Sequence, residues 1–305
     1  MAVAQPNKRI LSIQSHVVSG YVGNKAATFP MQIHGYEVDT INSVQLCNHT
    51  GYNVFQGQVL NANELRVLSD GLKANDINYY SHLLTGYVGS KSFLKEVIQV
   101  VKELRETNPN IIFVCDPVMG DHGKFYVPEE LMSIYRDELL PLANMITPNQ
   151  FEAELLSGQK ITDEKSALDA MQRLHEKGVQ TVVLSSIPSE TNGMLVSYGT
   201  TVIDGKKTGC KVEYPALDCQ FTGTGDLFSA LLLVWSHKHP SNLQLALEKT
   251  LSGMQAVLQR TLTDAQELAG AGNKPSPAQR ELRMVQSKAD LEDPKVCMKG
   301  VPLQF

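Results

Sequence analysis

Short, mainly apolar segments recur along the chain and alternate with longer segments of helical periodicity. The apolar segments are residues 9–14, 82–87, 111–115 and 181–185. Because they lack the alternation of a half-exposed strand, they predict strands of a parallel sheet that is covered on both faces.

The segments between these strands place their apolar residues at the spacing of an α-helix. In residues 90–107, one face carries Leu94, Val97, Ile98, Val101 and Leu104. Helices are also predicted over residues 163–177, 226–235, 242–268 and 279–286. The alternation predicts a doubly wound α/β fold, with a mostly parallel sheet and helices on both faces.

The chain shows no internal linker, so residues 1–305 are predicted to form a single domain. Residues 292–305 carry no strong pattern and are predicted to form an edge strand or a loose tail.

Composition narrows the class of partner. The chain has 42% hydrophobic and 19% charged residues, a net charge of −5 and a pI near 5.9, which argues against nucleic-acid and membrane-surface partners and favours a small molecule. No secretory signal or membrane-spanning run is evident, which predicts a cytoplasmic protein. The five cysteines are scattered without a C-x-x-C pair, so neither a disulfide framework nor a zinc site is indicated.

Polar residues follow the predicted strands, at the edge where open α/β sheets bind ligands. They are Ser15 and His16, Asp116, Thr147 to Asn149, and Ser185 and Ser186. Any one of them could be a turn former or a helix cap, but four polar strand ends together indicate a site.

Two further carboxylates, Asp121 and Glu152, follow Asp116 and Thr147 along the chain. One or two carboxylates together with substrate phosphates are the usual ligands of Mg²⁺ in proteins. The alternative is that Asp121 is a turn residue and that Glu152 is a first-turn acid stabilised by the helix dipole.

The segment Gly223-Thr224-Gly225-Asp226 leads directly into an apolar helix. Two glycines allow close approach of a ligand, and free amides at a helix N-terminus bind anions such as a phosphoryl group in transfer. Asp226 could then take a proton from an attacking hydroxyl, or it could simply cap the helix. The loops of P-loop NTPases and Rossmann dehydrogenases are absent from the sequence.

Longer motifs carry a resemblance. "DPVMGD" (116–121), "TPNQFEAELLSG" (147–158) and "GTGD" (223–226) resemble the ribokinase-like superfamily. "LSIQSHVVSGYVGNKAATFP" (11–30), "NSVQLCNHTGY" (42–52), "LTGYVGSKSFL" (84–94) and "RELRMVQS" (280–287) are similar to the pyridoxal kinases within it. The resemblance implies a homodimeric enzyme that uses ATP to phosphorylate the 5′-hydroxymethyl group of pyridoxal, pyridoxine and pyridoxamine.

The resemblance also implies roles for individual residues. Asp226 is the implied catalytic base, and Gly223, Thr224 and Gly225 form the implied anion hole. Positions for the vitamin are Ser15, Val22, Thr50, Tyr87 and Asp226. Positions for the nucleotide are Asp116, Tyr126, Asn149, Gln150, Phe151, Glu152, Ser185, Ser186, Leu217, Asp218, Cys219 and Thr224, with Tyr126 in a lid over ATP.

The implied Mg²⁺ positions are Asp121 and Glu152, and a monovalent cation, K⁺ or Na⁺, is implied at Asp116, Thr147 and Ser185. Two positions depart from the pattern: Leu46 stands where an aromatic residue is expected beside the pyridine ring, and Ser185 replaces a threonine. Two alternatives are another ribokinase-like kinase, such as a hydroxymethylpyrimidine kinase, and a catalytically silent vitamer-binding protein.

Overall fold

A computed structural model describes residues 8–305, and one ten-stranded sheet runs through this part of the chain. Residues 1–7, which belong to the segment considered for a secretory signal, lie outside the described residues. The strands are β1 (Arg9–Val17), β2 (Glu37–Leu46), β3 (Gly57–Val59), β4 (His82–Thr85), β5 (Ile112–Cys115), β6 (Gly120–Asp121), β7 (Lys124–Phe125), β8 (Met145–Ile146), β9 (Thr181–Pro188), β10 (Met194–Ile203), β11 (Lys206–Pro215) and β12 (Val301–Pro302).

The helices connect these strands. They are α1 (Asn24–Ile33), α2 (Ala62–Ala74), α3 (Lys91–Thr107), α4 (Leu131–Ile134), α5 (Gln150–Ser157), α6 (Glu164–Glu176), α7 (Thr224–Lys238), α8 (Leu243–Ala269) and α9 (Lys288–Glu292). A short π-helical turn and a 3₁₀ turn continue α4 as far as Leu142.

The large sheet has the order β12-β11-β10-β9-β8-β5-β4-β1-β2-β3, and β6 and β7 form a separate hairpin. The six central strands, from β9 to β2, pair in parallel, whereas the outer pairs are antiparallel. The predicted mostly parallel α/β fold is therefore confirmed.

Each central strand alternates its side chains between two cores, one on each face of the sheet. In β5, for example, Phe113 joins a core with α3 and α6, and Val114 joins a core with α7 and α8. Because both faces are covered by helices, the central strands are mainly apolar and do not alternate with exposed polar residues, which is the pattern visible in the sequence.

The helix predicted over residues 279–286 is wrong. This segment forms turns around an extended stretch, and the helix begins only at Lys288. Leu282 and Met284 are both buried, at a spacing of two residues, while the backbone amide of Arg283 donates to the Thr261 hydroxyl at 2.9 Å. Contacts with α8 thus replace the helical hydrogen bonds.

The antiparallel hairpin of β10 and β11 was not predicted. Its turn is Asp204-Gly205, with φ angles of 51° and 75°, which is the two-residue turn that joins twisted strands. At the C-terminus, β12 pairs with β11, which confirms the predicted edge strand.

All five cysteines are free. Among residues 8–305, no helix is long and apolar enough to cross a membrane.

Candidate active site

The parallel strands bring the polar strand ends to one edge of the sheet. Ser15 lies near the carboxyl end of β1, Asp116 directly follows β5, and Thr147 directly follows β8. Tyr87 lies two residues beyond β4, and Ser185 is in the carboxyl half of β9. Since β1, β4, β5, β8 and β9 are consecutive neighbours in the sheet, these residues lie side by side along one edge of it, where open α/β sheets bind ligands.

The glycine loop 223–225 begins α7 at this edge. Gly223 is the N-cap residue with a φ of 86°, and no side chain caps the helix. A Cβ atom at Gly223 would lie 2.0 Å from the carbonyl oxygen of Tyr21, so only glycine fits there. Because Gly223 has no side chain to cap the helix, the amides of Thr224 and Gly225 have no side-chain acceptor within residues 8–305, and they can receive an anion.

The segment after β1 completes this contact. Gly23 has a φ of 54°, and a Cβ atom there would lie 1.9 Å from the carbonyl oxygen and 2.5 Å from the hydroxyl of Ser15. Ser15 therefore packs on Gly23, and the same loop packs on Gly223 through Tyr21 and Val22.

Asp226 lies in the first turn of α7 and does not cap it. Burial raises the pKa of its carboxyl group, and the backbone amides of Gly23 and of Asp226 itself oppose the shift. A carboxylate with a raised pKa is a stronger base than an ordinary aspartate, which suits a general base.

Asp116 is 5% exposed and lies behind the glycine loop. Its Oδ2 atom would be 3.5 Å from a Cβ atom at Gly225. Burial, together with the charges of Glu152 and Asp226, raises the pKa of Asp116 well above its usual value. Three carboxyl groups are thus gathered at the point where α7 begins.

Glu152 caps α5. Its carboxylate accepts hydrogen bonds from the amides of Met119 (2.9 Å), Gly120 (3.4 Å) and Asn149 (3.0 Å). Burial raises the pKa of the Glu152 carboxyl group above its usual value, although these three hydrogen bonds act in the opposite direction. A carboxylate has about four lone-pair sites, so Glu152 has about one site left for a metal or a water molecule.

The β6–β7 hairpin carries Asp121 and leads to Tyr126. The Asp121 carboxylate accepts from the amide of His122 at 2.8 Å and is half-exposed, so it retains free lone pairs. Tyr126 is 59% exposed, and its amide donates to the carbonyl of Met119 at 2.8 Å. Its ring projects from the base of the predicted lid.

The other predicted nucleotide residues fall into two groups. Asn149 caps α5 and donates to the carbonyl of Gly120, Gln150 donates to the carbonyl of Ile161, and Phe151 meets Phe125 edge to face at 5.2 Å. Asn149 and Phe151 thus contact the β6–β7 hairpin, whereas Gln150 contacts the segment that follows α5. Ser186 is half-buried in β9, and Leu217, Asp218 and Cys219 form a partly exposed turn before α7.

Thr147 is 4% exposed, and its hydroxyl oxygen has no hydrogen-bond partner within residues 8–305. Beside it, the Ser185 amide donates to the carbonyl of Pro148 at 3.0 Å. Burying a hydroxyl group without a hydrogen-bond partner costs free energy. The Thr147 hydroxyl lies at the end of β8, next to the end of β5, where Asp116 begins the following loop.

Of the residues predicted to bind the vitamin, Val22 is buried, Thr50 is exposed in the loop between β2 and β3, and Tyr87 is half-buried. A cavity of about 140 Å³ lies against Tyr87 and is lined by Ser43, Val44, Val59, Leu60, Tyr87, Gly89, Ser90 and Phe93. Leu46 ends β2 opposite Gly57 and is half-buried.

A family model described as phosphomethylpyrimidine kinase matches residues 80–277. Pyridoxal kinase of Sus scrofa is 53% identical over 97% of this chain and 96% of its own length, and pyridoxal kinase of Homo sapiens is 50% identical over 97% and 98%. A solved structure of pyridoxal kinase from Leishmania donovani in complex with ADP and pyridoxamine has a TM-score of 0.90 at 37% identity, covering 97% of this chain and 100% of that chain. This chain belongs to the pyridoxal kinase family.

Membership of the pyridoxal kinase family confirms the resemblance inferred from the motifs. The relatives match nearly the full chain, including residues 11–30 and 280–287, which lie outside the family model. They favour a kinase of pyridoxal over the hydroxymethylpyrimidine kinase alternative.

Sequence reasoning missed the residues that hold the pyridoxal kinase site together. Tyr21 packs on Gly223 and the Gly23 amide bonds the Asp226 carboxylate, while Glu281 pairs with His49 and accepts from the Tyr21 amide. The motif containing Glu281 was recognised, but the interpretation of residues 279–286 as a helix gave no reason to place this carboxylate near the site.

Proposed function

We propose that this protein transfers the γ-phosphoryl group of ATP to the 5′-hydroxymethyl group of pyridoxal, pyridoxine and pyridoxamine, with Asp226 as the general base. The observation that carries the residue assignment is the uncapped N-terminus of α7. Its free amides and its glycines meet the Asp226 carboxylate at the carboxyl edge of the sheet.

The vitamin occupies the part of the crevice between the 20–23 loop and Tyr87. The hydroxyls of Ser15 and Thr50 bond the polar atoms of the ring, and Val22 and Tyr87 flank its faces. Asp226 accepts the proton of the hydroxymethyl group as its oxygen attacks phosphorus. The amides of the 223–225 loop bind the phosphoryl oxygens, helped by the dipole of α7.

ATP lies along the ends of β5, β8 and β9, with the β6–β7 hairpin and Tyr126 folded over it to exclude water. The turn at 217–219 and residues 149–152 and 185–186 border the nucleotide. Support comes from the Leishmania donovani enzyme with ADP and pyridoxamine, and from the Plasmodium falciparum enzyme with AMP-PNP and PL, which has a TM-score of 0.83 at 29% identity.

A divalent cation fits beside Asp121. Among the described residues, no three His, Cys, Asp or Glu side chains are arranged to hold a metal by themselves. Mg²⁺ in kinases is held by one or two carboxylates and by substrate phosphates, so a preformed cage is not required. Asp121 has free lone pairs to bind it directly, whereas Glu152 can contribute only its remaining lone-pair site. When bound, Mg²⁺ neutralises the charge of the β- and γ-phosphates.

A monovalent cation fits at Thr147. The partnerless buried hydroxyl of Thr147 and the buried carboxylate of Asp116 are oxygen ligands without a counter-charge, and Ser185 is the third proposed ligand. K⁺ or Na⁺ at this point would relieve the repulsion among Asp116, Glu152 and Asp226.

The proposal is tested by following formation of pyridoxal 5′-phosphate by its absorbance. Asp226→Asn is expected to bind pyridoxal and ATP but to lose about 10²- to 10⁴-fold in kcat, since an amide cannot accept the proton. Asp70→Asn, a change in an exposed ion pair on α2, is the control and is expected to match the wild type. Wild-type kcat in Asp226→Asn would refute the role as base.

Two further outcomes separate the competing functions. Phosphorylation of a hydroxymethylpyrimidine but of no B6 vitamer would favour the other ribokinase-like kinase. Vitamer binding without turnover by the wild type, with ATP and Mg²⁺ present, would favour the silent binding protein.

We also propose that residues 1–305 act as one domain and that the protein is a homodimer. Val18, Val54, Phe55 and Val59 are exposed apolar residues near the edge strand β3, and such side chains are suited to an interface. A monomeric mass in sedimentation or light scattering would refute the homodimer.

A further inference from the structure

The carboxylate of Glu281 lies between the two loops that border the vitamin side of the crevice, although it belongs to the C-terminal segment. Its Oε2 atom accepts from the amide of Tyr21 at 3.0 Å. Its Oε1 atom accepts from the hydroxyl of Tyr52 at 2.9 Å and lies 3.3 Å from Nε2 of His49. One side chain thus connects the 20–23 loop to the loop between β2 and β3.

The geometry of His49 fixes its role in this contact. Its Nδ1 atom accepts the amide proton of Gly51 at 3.0 Å, so Nε2 carries the ring proton and donates to Glu281. Thr50 lies between His49 and Gly51, and its backbone is therefore held on both sides. The ring also meets Tyr52 edge to face, with centroids 4.9 Å apart.

The 20–23 loop is shaped around the same carboxylate. Gly20 has a φ of 93°, and a Cβ atom there would lie 2.3 Å from Oε1 of Glu281, so the carboxylate occupies the space that a side chain would fill. Beyond Tyr21, the loop reaches the active site, because the Tyr21 carbonyl packs on Gly223 and the Gly23 amide faces Asp226.

Glu281 is charged in this position. Burial alone raises the pKa of its carboxyl group, but the hydrogen bonds from His49, Tyr52 and the amide of Tyr21 outweigh burial and hold the pKa below its usual value. The three donors are therefore bound to an anion, and hydrogen bonds of this kind are about twice as strong as neutral ones.

We propose that Glu281 is a positioning residue for the vitamer: it fixes the 20–23 loop, which carries Val22 and packs on Ser15, relative to Thr50, so that these residues meet the substrate together. This role rests on the proposed function, because Thr50 and the 20–23 loop border the vitamer only if the crevice binds one. Within residues 8–305, Glu281 forms no hydrogen bond or ion pair with β5, β8 or β9, the strands that build the ATP side of the crevice.

The test compares Glu281→Ala and Glu281→Gln with the wild type, with pyridoxal and ATP varied separately. Glu281→Ala is expected to raise the KM for pyridoxal about tenfold or more, the loss typical of hydrogen bonds to a charged group. The KM for ATP is expected to stay within about twofold. Glu281→Gln keeps the volume but offers one acceptor oxygen, so an intermediate rise is expected.

Glu248→Gln is the matched control. Glu248 is also a buried carboxylate that accepts a backbone amide, from Gly300 at 2.9 Å, but it joins α8 to the C-terminal segment at the opposite edge of the sheet. It is expected to lower thermal stability without changing either KM. Pyridoxal binding measured by calorimetry provides a readout that does not depend on turnover.

An unchanged pyridoxal KM and Kd in Glu281→Ala would overturn the proposal. So would an equal rise in both KM values, or the same change in Glu248→Gln, because either result would indicate general destabilisation. If Glu281→Ala does not fold, Glu281→Gln decides by the same criteria. Failure of the wild type to phosphorylate any vitamer would instead refute the proposed function.

Discussion

The close contact between Gly223 and Tyr21 predicts a large effect from a single added methyl group. In Gly223→Ala, Cβ would lie 2.0 Å from the Tyr21 carbonyl oxygen, and Cβ contacts below 3.0 Å are essentially never seen in proteins. Either α7 or the 20–23 loop must therefore move by about 1 Å, and a displacement of this size in an active site can cost about 10²-fold in rate. The positive φ of 86° adds about 1–2 kcal/mol of backbone strain.

The assay is steady-state formation of pyridoxal 5′-phosphate, together with thermal unfolding. Gly205→Ala is the matched control, because its φ is 75° and no atom lies within 4 Å of the added Cβ. It carries the same backbone strain without the clash, so about 1–2 kcal/mol of stability should be lost while kcat is retained. If Gly223→Ala kept kcat within about threefold of Gly205→Ala, the glycine loop would not be held by Tyr21 in the way we describe.

Three other predictions concern charged groups. Because the pKa of Asp116 is raised, its contribution to stability is present below about pH 3.8 and is lost as the pH rises through the folded value. Asp116→Asn should therefore be more stable than the wild type in urea unfolding at neutral pH without added cations, but it should lose activation by K⁺ or Na⁺. Burial and the charge of His237 lower the pKa of His82 to about 3, so the stability that neutral His82 contributes above pH 6.5 is lost as the pH falls, by about 2 kcal/mol at pH 5. His82→Asn should lose less stability over the same pH range. Equal acid sensitivity of the two proteins would contradict this. Chelation of divalent cations should abolish turnover and added Mg²⁺ should restore it, whereas activity in excess chelator would exclude the proposed Asp121 site.

The elements that carry the site could be predicted because their signals are local. The apolar strands, the periodicity of α3 and the apolar helix after Asp226 each depend on residues close together in sequence. Parallel pairing then places the strand ends side by side, so the crevice follows from the order of the elements.

The support of the site could not be predicted, because it depends on contacts between distant segments. Glu281 and Tyr21 are separated by 260 positions, and nothing local to either residue indicates the other. The same applies to Gly223, whose sequence context explains a flexible loop but not the carbonyl that excludes a side chain. Leu282 and Met284 were assigned to a helix because their neighbours favour one, whereas the contacts of this segment with α8 favour an extended chain.

Glu152 has the capping role considered from the sequence, and it also acts on a neighbouring carboxyl group. As a helix cap it is bound by three backbone amides, yet its charge still raises the pKa of Asp116, which Asp226 raises as well. Asp116 is therefore repelled by both Glu152 and Asp226 in a buried region near the N-terminus of α7. A cation near Asp116 and a phosphate at α7 would lower this repulsion in different ways, the first by countering charge and the second by bringing Mg²⁺ with it. We therefore expect a cation at the proposed Asp116 site and a bound nucleotide to stabilise this region most when both are present.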